Sequence, residues 1–213
     1  MPKSRGDTNE ASNGNGDTYS LEAQVETASV RRRGNPFASL RHRDYRNFWM
    51  GALVSNVGTW MQNVGVGWVV YDLTKDGNPS LALGTINFLS FLPTTLLTLF
   101  AGVIADRFNR KRLIILAQVL LLLQAFTLAR LTQINEATVV ILGGLVLFGG
   151  IVTAFVFPAW QAMKPDIVTK KSLLNAIALN AAQFNSARLL GPLLGGLVFA
   201  RWGAPEVFYI NGI

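Results

Sequence analysis

From Phe48 onward the chain alternates between long apolar runs and short polar breaks. Five runs stand out, near Phe48 to Tyr71, Leu81 to Ile104, Leu113 to Leu131, Thr138 to Gln161 and Leu174 to Ala200. A helix rises about 1.5 Å per residue, and about 20 apolar residues cross the hydrocarbon of a bilayer. Each run therefore predicts one transmembrane helix. A sixth run begins near Val207 and reaches Ile213, about a third of a bilayer at that rise, so a longer protein continuing the element is expected. The runs are too long for a water-soluble helical protein. The breaks DLTKDGNPS, TQINEA and RWGAPE are short, and the first and last carry the Gly and Pro of turns. Short connections make consecutive helices antiparallel neighbours, which predicts an all-α integral membrane bundle over 37–213.

Composition sharpens that reading. Half the residues are hydrophobic and 15% are charged, with a mean hydropathy of +0.33. Cysteine is absent and His42 is the single histidine, which leaves no thiolate or histidine cluster for a metal. Residues 1–36 are rich in Ser, Thr, Asn, Gly and Glu and poor in large apolar side chains, so a disordered tail is expected there.

Charge sets the expected orientation. Of 19 Lys and Arg residues, all but four fall before the first run, in 106–112 or in 163–172. Lys75, Arg130 and Arg201 lie on the alternate side, and Arg188 lies inside a run. The positive-inside rule places the N-terminus in the cytoplasm of a multi-pass plasma-membrane protein, a bacterial inner membrane being expected. The net charge of +7 follows from this topology and gives no reason to expect a nucleic-acid partner. Arg31, Arg32 and Arg33 precede the first run as a basic cluster that orients it or attracts anionic lipid.

The polar residues inside the runs are the candidates for function. No Asp or Glu falls in the five complete runs, so a titrating membrane carboxylate is expected elsewhere, beyond residue 213 or at an end such as Asp106. Arg188 is the one charge at membrane depth, where a charge costs at least about 2.5 to 3.5 kcal/mol. It contacts substrate, gates a passage, or pairs with backbone carbonyls. Pro192 lacks the amide proton that would bond the Arg188 carbonyl, which predicts a bend. Gly191, Gly195 and Gly196 around it allow close helix approach. Asn56, Thr59 and Asn63 share one helical face, and Asn180, Gln183 and Asn185 lie close to Arg188. These amides form interhelical hydrogen bonds, each worth about 0.6 kcal/mol on average, or they line a polar path. Aromatics such as Trp60 and Phe184 pack, anchor at an interface or supply an apolar lining.

Gly102, Asp106, Arg107, Arg110 and Lys111 resemble the loop motif G-x-x-x-D-R-x-G-R-K of the major facilitator superfamily of transporters. Asn109 stands at the second glycine, and asparagine tolerates left-handed geometry better than most residues. ARLLGPLLGG is similar to the fifth-span antiporter motif g-x-x-x-G-P-x-x-G-G, with Arg188, Gly191, Pro192, Gly195 and Gly196 inside it. SNVGTWMQNV, PAWQAMKPDIV and NAIALNAAQFNSARLLGP resemble the branch with enterobactin exporters and macrolide-efflux permeases.

The resemblance implies the N-terminal six-helix half of a twelve-span fold, its sixth helix cut short. It implies gating for the 102–111 loop and substrate held near mid-membrane between two rocking halves. The expected partners are a small-molecule substrate, a coupling proton, the lipid bilayer and the missing C-terminal half, with no cofactor. The leading expectation is proton-coupled export of a drug-like molecule or siderophore. The alternative is a half that transports nothing without a partner polypeptide. An embedded enzyme would need a nucleophile, acid–base pair or metal set at membrane depth, and none is visible. A phosphate-binding G-x-x-x-x-G-K-[ST] loop is likewise missing from the sequence.

Overall fold

The structure, a computed structural model, describes residues 40, 43–107, 109–167 and 173–212, with side chains described outside 44, 99, 103–107, 162–167, 173 and 174. The N-terminal tail expected over 1–36 lies outside the described residues. Six helices follow: α1 Arg43–Thr74, α2 Pro79–Arg107, α3 Arg110–Gln133, α4 Val139–Ile167, α5 Leu173–Trp202 and α6 Ala204–Asn211. Each apolar run falls within one of α1 to α5, apart from a residue at an edge. The helices overrun the runs because a backbone that is fully bonded within itself loses nothing by continuing into the interface.

Three stretches are both long and apolar enough to cross a membrane, Pro79–Thr98, Arg110–Gln133 and Val139–Gln161. Helices α1 and α5, of 32 and 30 residues, have the length and are less apolar. Their amides, and Arg188 in α5, lower the average that run length alone did not register.

Local sequence explains the helix ends. The Asn78 side chain accepts from the Leu81 amide at 3.1 Å, and the Thr138 hydroxyl from the Ile141 amide at 3.3 Å. Each satisfies a first-turn amide that has no partner inside the helix. Asn109 does the same for α3: φ is −65°, ψ is 110°, and its side chain accepts from the Arg112 amide at 3.2 Å. The asparagine at the motif's second glycine therefore works as an N-cap with extended backbone, without left-handed geometry. Among the described residues the left-handed non-glycine residue is Asn135, φ 60°, in the turn after α3.

Between α5 and α6 a single residue breaks the helix. Gly203 has φ 101°, a conformation that an L side chain resists. Pro205 then lies in the first turn of α6, where its missing amide proton costs nothing. Helix α6 thus starts three residues earlier than the apolar run near Val207 predicts.

The most extensive contacts join α2 to α4 and α1 to α5. In hydrocarbon, apolar side chains gain little by leaving lipid, so association rests on close packing and interhelical hydrogen bonds. The α2–α4 pair meets this at Gly150, where a Cβ would lie 2.6 Å from the Ser90 carbonyl oxygen and 3.2 Å from Pro93 Cγ. Helix α3 lies against α4 and α6, and Gln124 Nε2 donates to the Leu145 carbonyl at 2.8 Å across the α3–α4 contact. Gly149 leaves room for that amide, since a Cβ there would lie 2.7 Å from Gln124 Nε2. Helix α6 fills the space between α1 and α3 with Val207 and Phe208, both fully buried. Around Phe208 gather Val66, Val69, Val70, Leu128, Ala129 and Leu142, the largest cluster of the core.

Gly150→Ala is expected to lower stability by about 1 to 3 kcal/mol, the usual cost of overpacking. Gly144→Ala, with open space around it, should be neutral or gain up to about 1 kcal/mol in helix propensity. Thermal midpoints by fluorescence-detected size exclusion compare the two; equal midpoints would show that the α2–α4 contact is not limited by backbone approach.

Candidate functional site

The motif residues of α5 lie along its seam with α1. Ala176, Leu179, Gln183, Ala187, Gly191 and Gly195 recur at three or four residues, which puts them on one helical face, and all are buried. Opposite them lie Tyr45 and Met61. The backbones touch through the glycines. A Cβ at Gly191 would collide with Trp60 Cβ and lie 3.0 Å from the Val57 carbonyl oxygen. At Gly195 it would lie 3.2 Å from Met61 Cα. Gly196, one residue further, faces open space. The motif's three glycines therefore divide into two that make the seam and one that does not. Helix α5 runs through the half-buried Pro192 without interruption from Leu173 to Trp202.

Two ring donors close the seam at its Tyr45 end. The Tyr45 hydroxyl donates to the Ala176 carbonyl at 3.0 Å, and Trp49 Nε1 to the Leu179 carbonyl at 3.1 Å. They are four apart on α1 and reach acceptors three apart on α5, so they fix both rotation and register. Tyr45 precedes the apolar run of α1, and burial raises its phenol above the ordinary tyrosine pKa. The hydroxyl thus stays a proton donor at neutral pH. The associated stability is complete below the unfolded tyrosine value and declines as pH rises from there toward the higher folded value.

The predicted polar residues do not converge on one closed cavity. Gln183 is 2% exposed, inside the seam, and its Nε2 has no hydrogen-bond partner. Asn56 and Asn180 are half-buried, while Thr59, Asn63, Asn185 and Arg188 are exposed. Two of these bond within their own helix: the Thr59 hydroxyl to the Ser55 carbonyl at 3.0 Å and Asn185 Nδ2 to the Ala181 carbonyl at 2.8 Å. The Arg188 guanidinium carbon lies 5.7 Å from the centre of the Trp60 ring, a cation–π arrangement. Trp60 meets Phe184 edge-on at 6.0 Å. Arg188 is thereby brought onto the Trp60 face of α1, which also carries Asn56 and Asn63.

Other amides serve the fold. Asn211 Nδ2 donates to Gln62 Oε1 at 2.8 Å, tying α6 to α1, and Gln118 Nε2 donates to Ser55 Oγ at 3.2 Å, tying α3 to α1. Neither pairing was legible in the sequence, although an isolated Gln118 in an apolar run signals a buried partner. A cleft of about 480 Å³ also opens away from Arg188, lined by Trp68, Tyr71, Asp72, Thr132 and Phe199 among others. Trp68 and Phe199 stack there at 5.3 Å, and exposed Asp72 pairs with Lys75 at 3.0 Å. That hydrogen bond and the Asp72 charge raise the Lys75 pKa.

Of the loop residues, Gly102 is half-buried near the end of α2 with open space at its Cα. Asp106 and Arg107 close α2, with their side chains outside the described residues. Arg110 opens α3 half-buried and engaged in an interaction, and Lys111 is exposed. Asp106 and Arg107 thus end one helix, and Arg110 and Lys111 begin the next.

The family profile described as transmembrane secretion effector, within the major facilitator superfamily, matches residues 34–213. The chain belongs to that family. It is a multi-pass membrane protein of a transporter superfamily, not of an enzyme family. Among similar superfamily members, the staphyloferrin A transporter of Staphylococcus aureus is 29% identical over 169 residues, covering 78% of this chain and 41% of that protein. Macrolide efflux protein A of Streptococcus pyogenes is 22% identical over 167 residues, 78% of this chain and 40% of its own length. Multidrug resistance protein 2 of Bacillus subtilis is 34% identical over 99 residues, 46% of this chain and 24% of its own. The chain thus spans about two-fifths or less of these relatives. No solved structure gives a significant match.

Within this transporter-family seam, Gly191→Ala is expected to destabilise by about 1 to 3 kcal/mol, with Gly196→Ala neutral or slightly stabilising. Thermal midpoints separate them. Gln183→Met should hold or raise the midpoint, because it removes a buried donor whose desolvation costs about 1 to 3 kcal/mol. A clear fall for Gln183→Met would reveal that the amide is satisfied in the whole protein.

Proposed function

We propose that this chain is the N-terminal half of a twelve-span secondary transporter. In this reading the whole protein exports a small organic compound, a drug-like molecule or siderophore, by alternating access at the expense of the proton gradient. The observation that carries it is the seam of α1 and α5. Its glycines lock two backbones together, and beside it the Arg188 guanidinium and the unbonded Asn63 amide stand exposed at mid-helix, with Asn56 and Asn180 half-buried. Such a face is costly against lipid, where a charge alone costs at least about 2.5 to 3.5 kcal/mol. It is therefore turned to a cavity closed by the second half, with Asn56, Thr59, Asn63, Asn180, Asn185 and Arg188 as its polar lining, while Gln183 stays buried in the seam. The names of the relatives, which refer to staphyloferrin A, macrolides and multidrug resistance, support a small organic cargo.

Alternating access requires halves that move as bodies about a central site. Packing by glycine gives α1 with α5, and α2 with α4, the close fit of such bodies. The loop of Gly102, Asp106, Arg107, Arg110 and Lys111 acts as a latch between halves on the cytoplasmic side, the side on which the N-terminus lies. The coupling proton is carried by a carboxylate outside the five apolar runs, beyond residue 213 or at an end such as Asp106.

Energised efflux of a fluorescent substrate panel, measured in cells with and without the full-length protein, is expected to be protein-dependent and to collapse with an uncoupler. Efflux that survives the uncoupler would refute proton coupling. Asp106→Asn in the same protein should cut efflux several-fold with membrane expression retained. Unchanged efflux would remove the latch role from Asp106.

A further inference from the structure

The cation at the centre of α5 has no anion among the described residues. Lys75, just after the end of α1, pairs with Asp72, and Arg188 forms no ion pair among the described residues. Neither α1 between Tyr45 and Tyr71 nor α5 from Leu173 to Trp202 contains an Asp or Glu. Arg188 instead rests over the Trp60 ring, and that contact leaves its in-plane N–H donors unused. On the same face of α1, Asn56 and Asn63 stand four residues before and three after Trp60. Neither carboxamide forms a side-chain hydrogen bond among the described residues, and Asn63 is exposed. Phe184, one turn before Arg188 and 47% exposed, adds a second ring that meets Trp60 edge-on.

The patch thus combines a fixed positive charge, two amides and two aromatic surfaces, without a carboxylate. Guanidinium binds carboxylate or similar oxyanions through two parallel charge-assisted hydrogen bonds, and its plane can stay on an aromatic ring while it does so. An organic cation would meet an uncompensated like charge here, which is unfavourable in a site shielded from water. We infer that the cargo is an organic anion. Its carboxylate or sulfonate lies against Arg188, and its planar or apolar body lies against Trp60 and Phe184. The inference rests on the transport reading above and adds the charge class of the substrate. A carboxylate supplied by the second half of the protein is the competing partner for Arg188.

The test uses the full-length protein and two probes that share a xanthene ring system, anionic carboxyfluorescein and cationic rhodamine 6G. Binding is followed by fluorescence anisotropy in detergent, and transport by efflux from energised membrane vesicles. The wild-type protein is expected to bind carboxyfluorescein more tightly than rhodamine 6G. Arg188→Gln should weaken carboxyfluorescein by about tenfold or more, the scale of a charge-assisted hydrogen bond, and spare rhodamine 6G. Arg188→Lys, which keeps the charge and loses the fork, should fall between, and size exclusion checks that both variants are folded.

A wild-type protein that binds neither probe, or prefers rhodamine 6G, overturns the inference. So does Arg188→Gln binding carboxyfluorescein as the wild type does, the result expected if a carboxylate of the second half holds the arginine. Arg188-dependent binding of carboxyfluorescein without efflux leaves the anion site standing and refutes the transport reading. Efflux of rhodamine 6G without such binding does the reverse.

Discussion

Everything in this bundle depends on how closely helix backbones approach one another. A water-soluble protein pulls helices together by removing apolar surface from water, but lipid tails are as apolar as leucine and supply no such drive. What remains is contact at short range, and contact needs small residues. Gly150 against Ser90 and Pro93 sets the α2–α4 pair, and Gly191 and Gly195 against Val57, Trp60 and Met61 set the α1–α5 pair. Much of the outer surface, by contrast, is large and apolar, with Leu189, Leu193 and Leu197 exposed along α5.

The same constraint sorts the polar side chains. A carboxamide in an apolar segment must find a partner, because an unbonded polar group in hydrocarbon is unfavourable. Gln124, Gln118 and Asn211 each reach across to another helix and tie α3 to α4, α3 to α1 and α6 to α1. Thr59 and Asn185 are satisfied by carbonyls one turn back in their own helices. What is left over among the described residues, Asn56, Asn63, Asn180, Gln183 and Arg188, lies on α1 and α5. Those helices are also outside the three stretches apolar enough to cross a membrane on composition. Helices that carry the unsatisfied polar groups are the ones for which plain lipid is the poorest surroundings.

The Tyr45 and Trp49 donors give this arrangement its precision. Glycine contact alone permits sliding along the seam. Two hydrogen bonds of 3.0 and 3.1 Å, from one face of α1 to successive turns of α5, remove that freedom. The position of Arg188 over Trp60 is then inherited from packing several turns away. Arg188 is thereby held against Trp60 by contacts distant from both.

Much was legible from the chain alone: the number of long helices, their approximate limits, the clustering of cations and the motifs that mark the family. These follow from run length and charge, which are local properties. The helix caps at Asn78 and Thr138 are local as well. Which face of each helix turns to which neighbour was not legible, because a 3.6-residue period fixes positions about a helix's own axis and says nothing about its surroundings. Gln62 and Asn63 are adjacent and chemically alike, yet one bonds to Asn211 and the other is exposed. Gly195 and Gly196 are identical, yet one touches Met61 and the other open space. Asn109 illustrates the limit at a turn, where the residue type allowed left-handed backbone and the start of α3 made it a cap. The sequence by itself determined a helical membrane protein of a transporter family. The tertiary structure decided which of its polar groups build the bundle and which stand free, because that depends on the distance of closest approach between helices far apart in the chain.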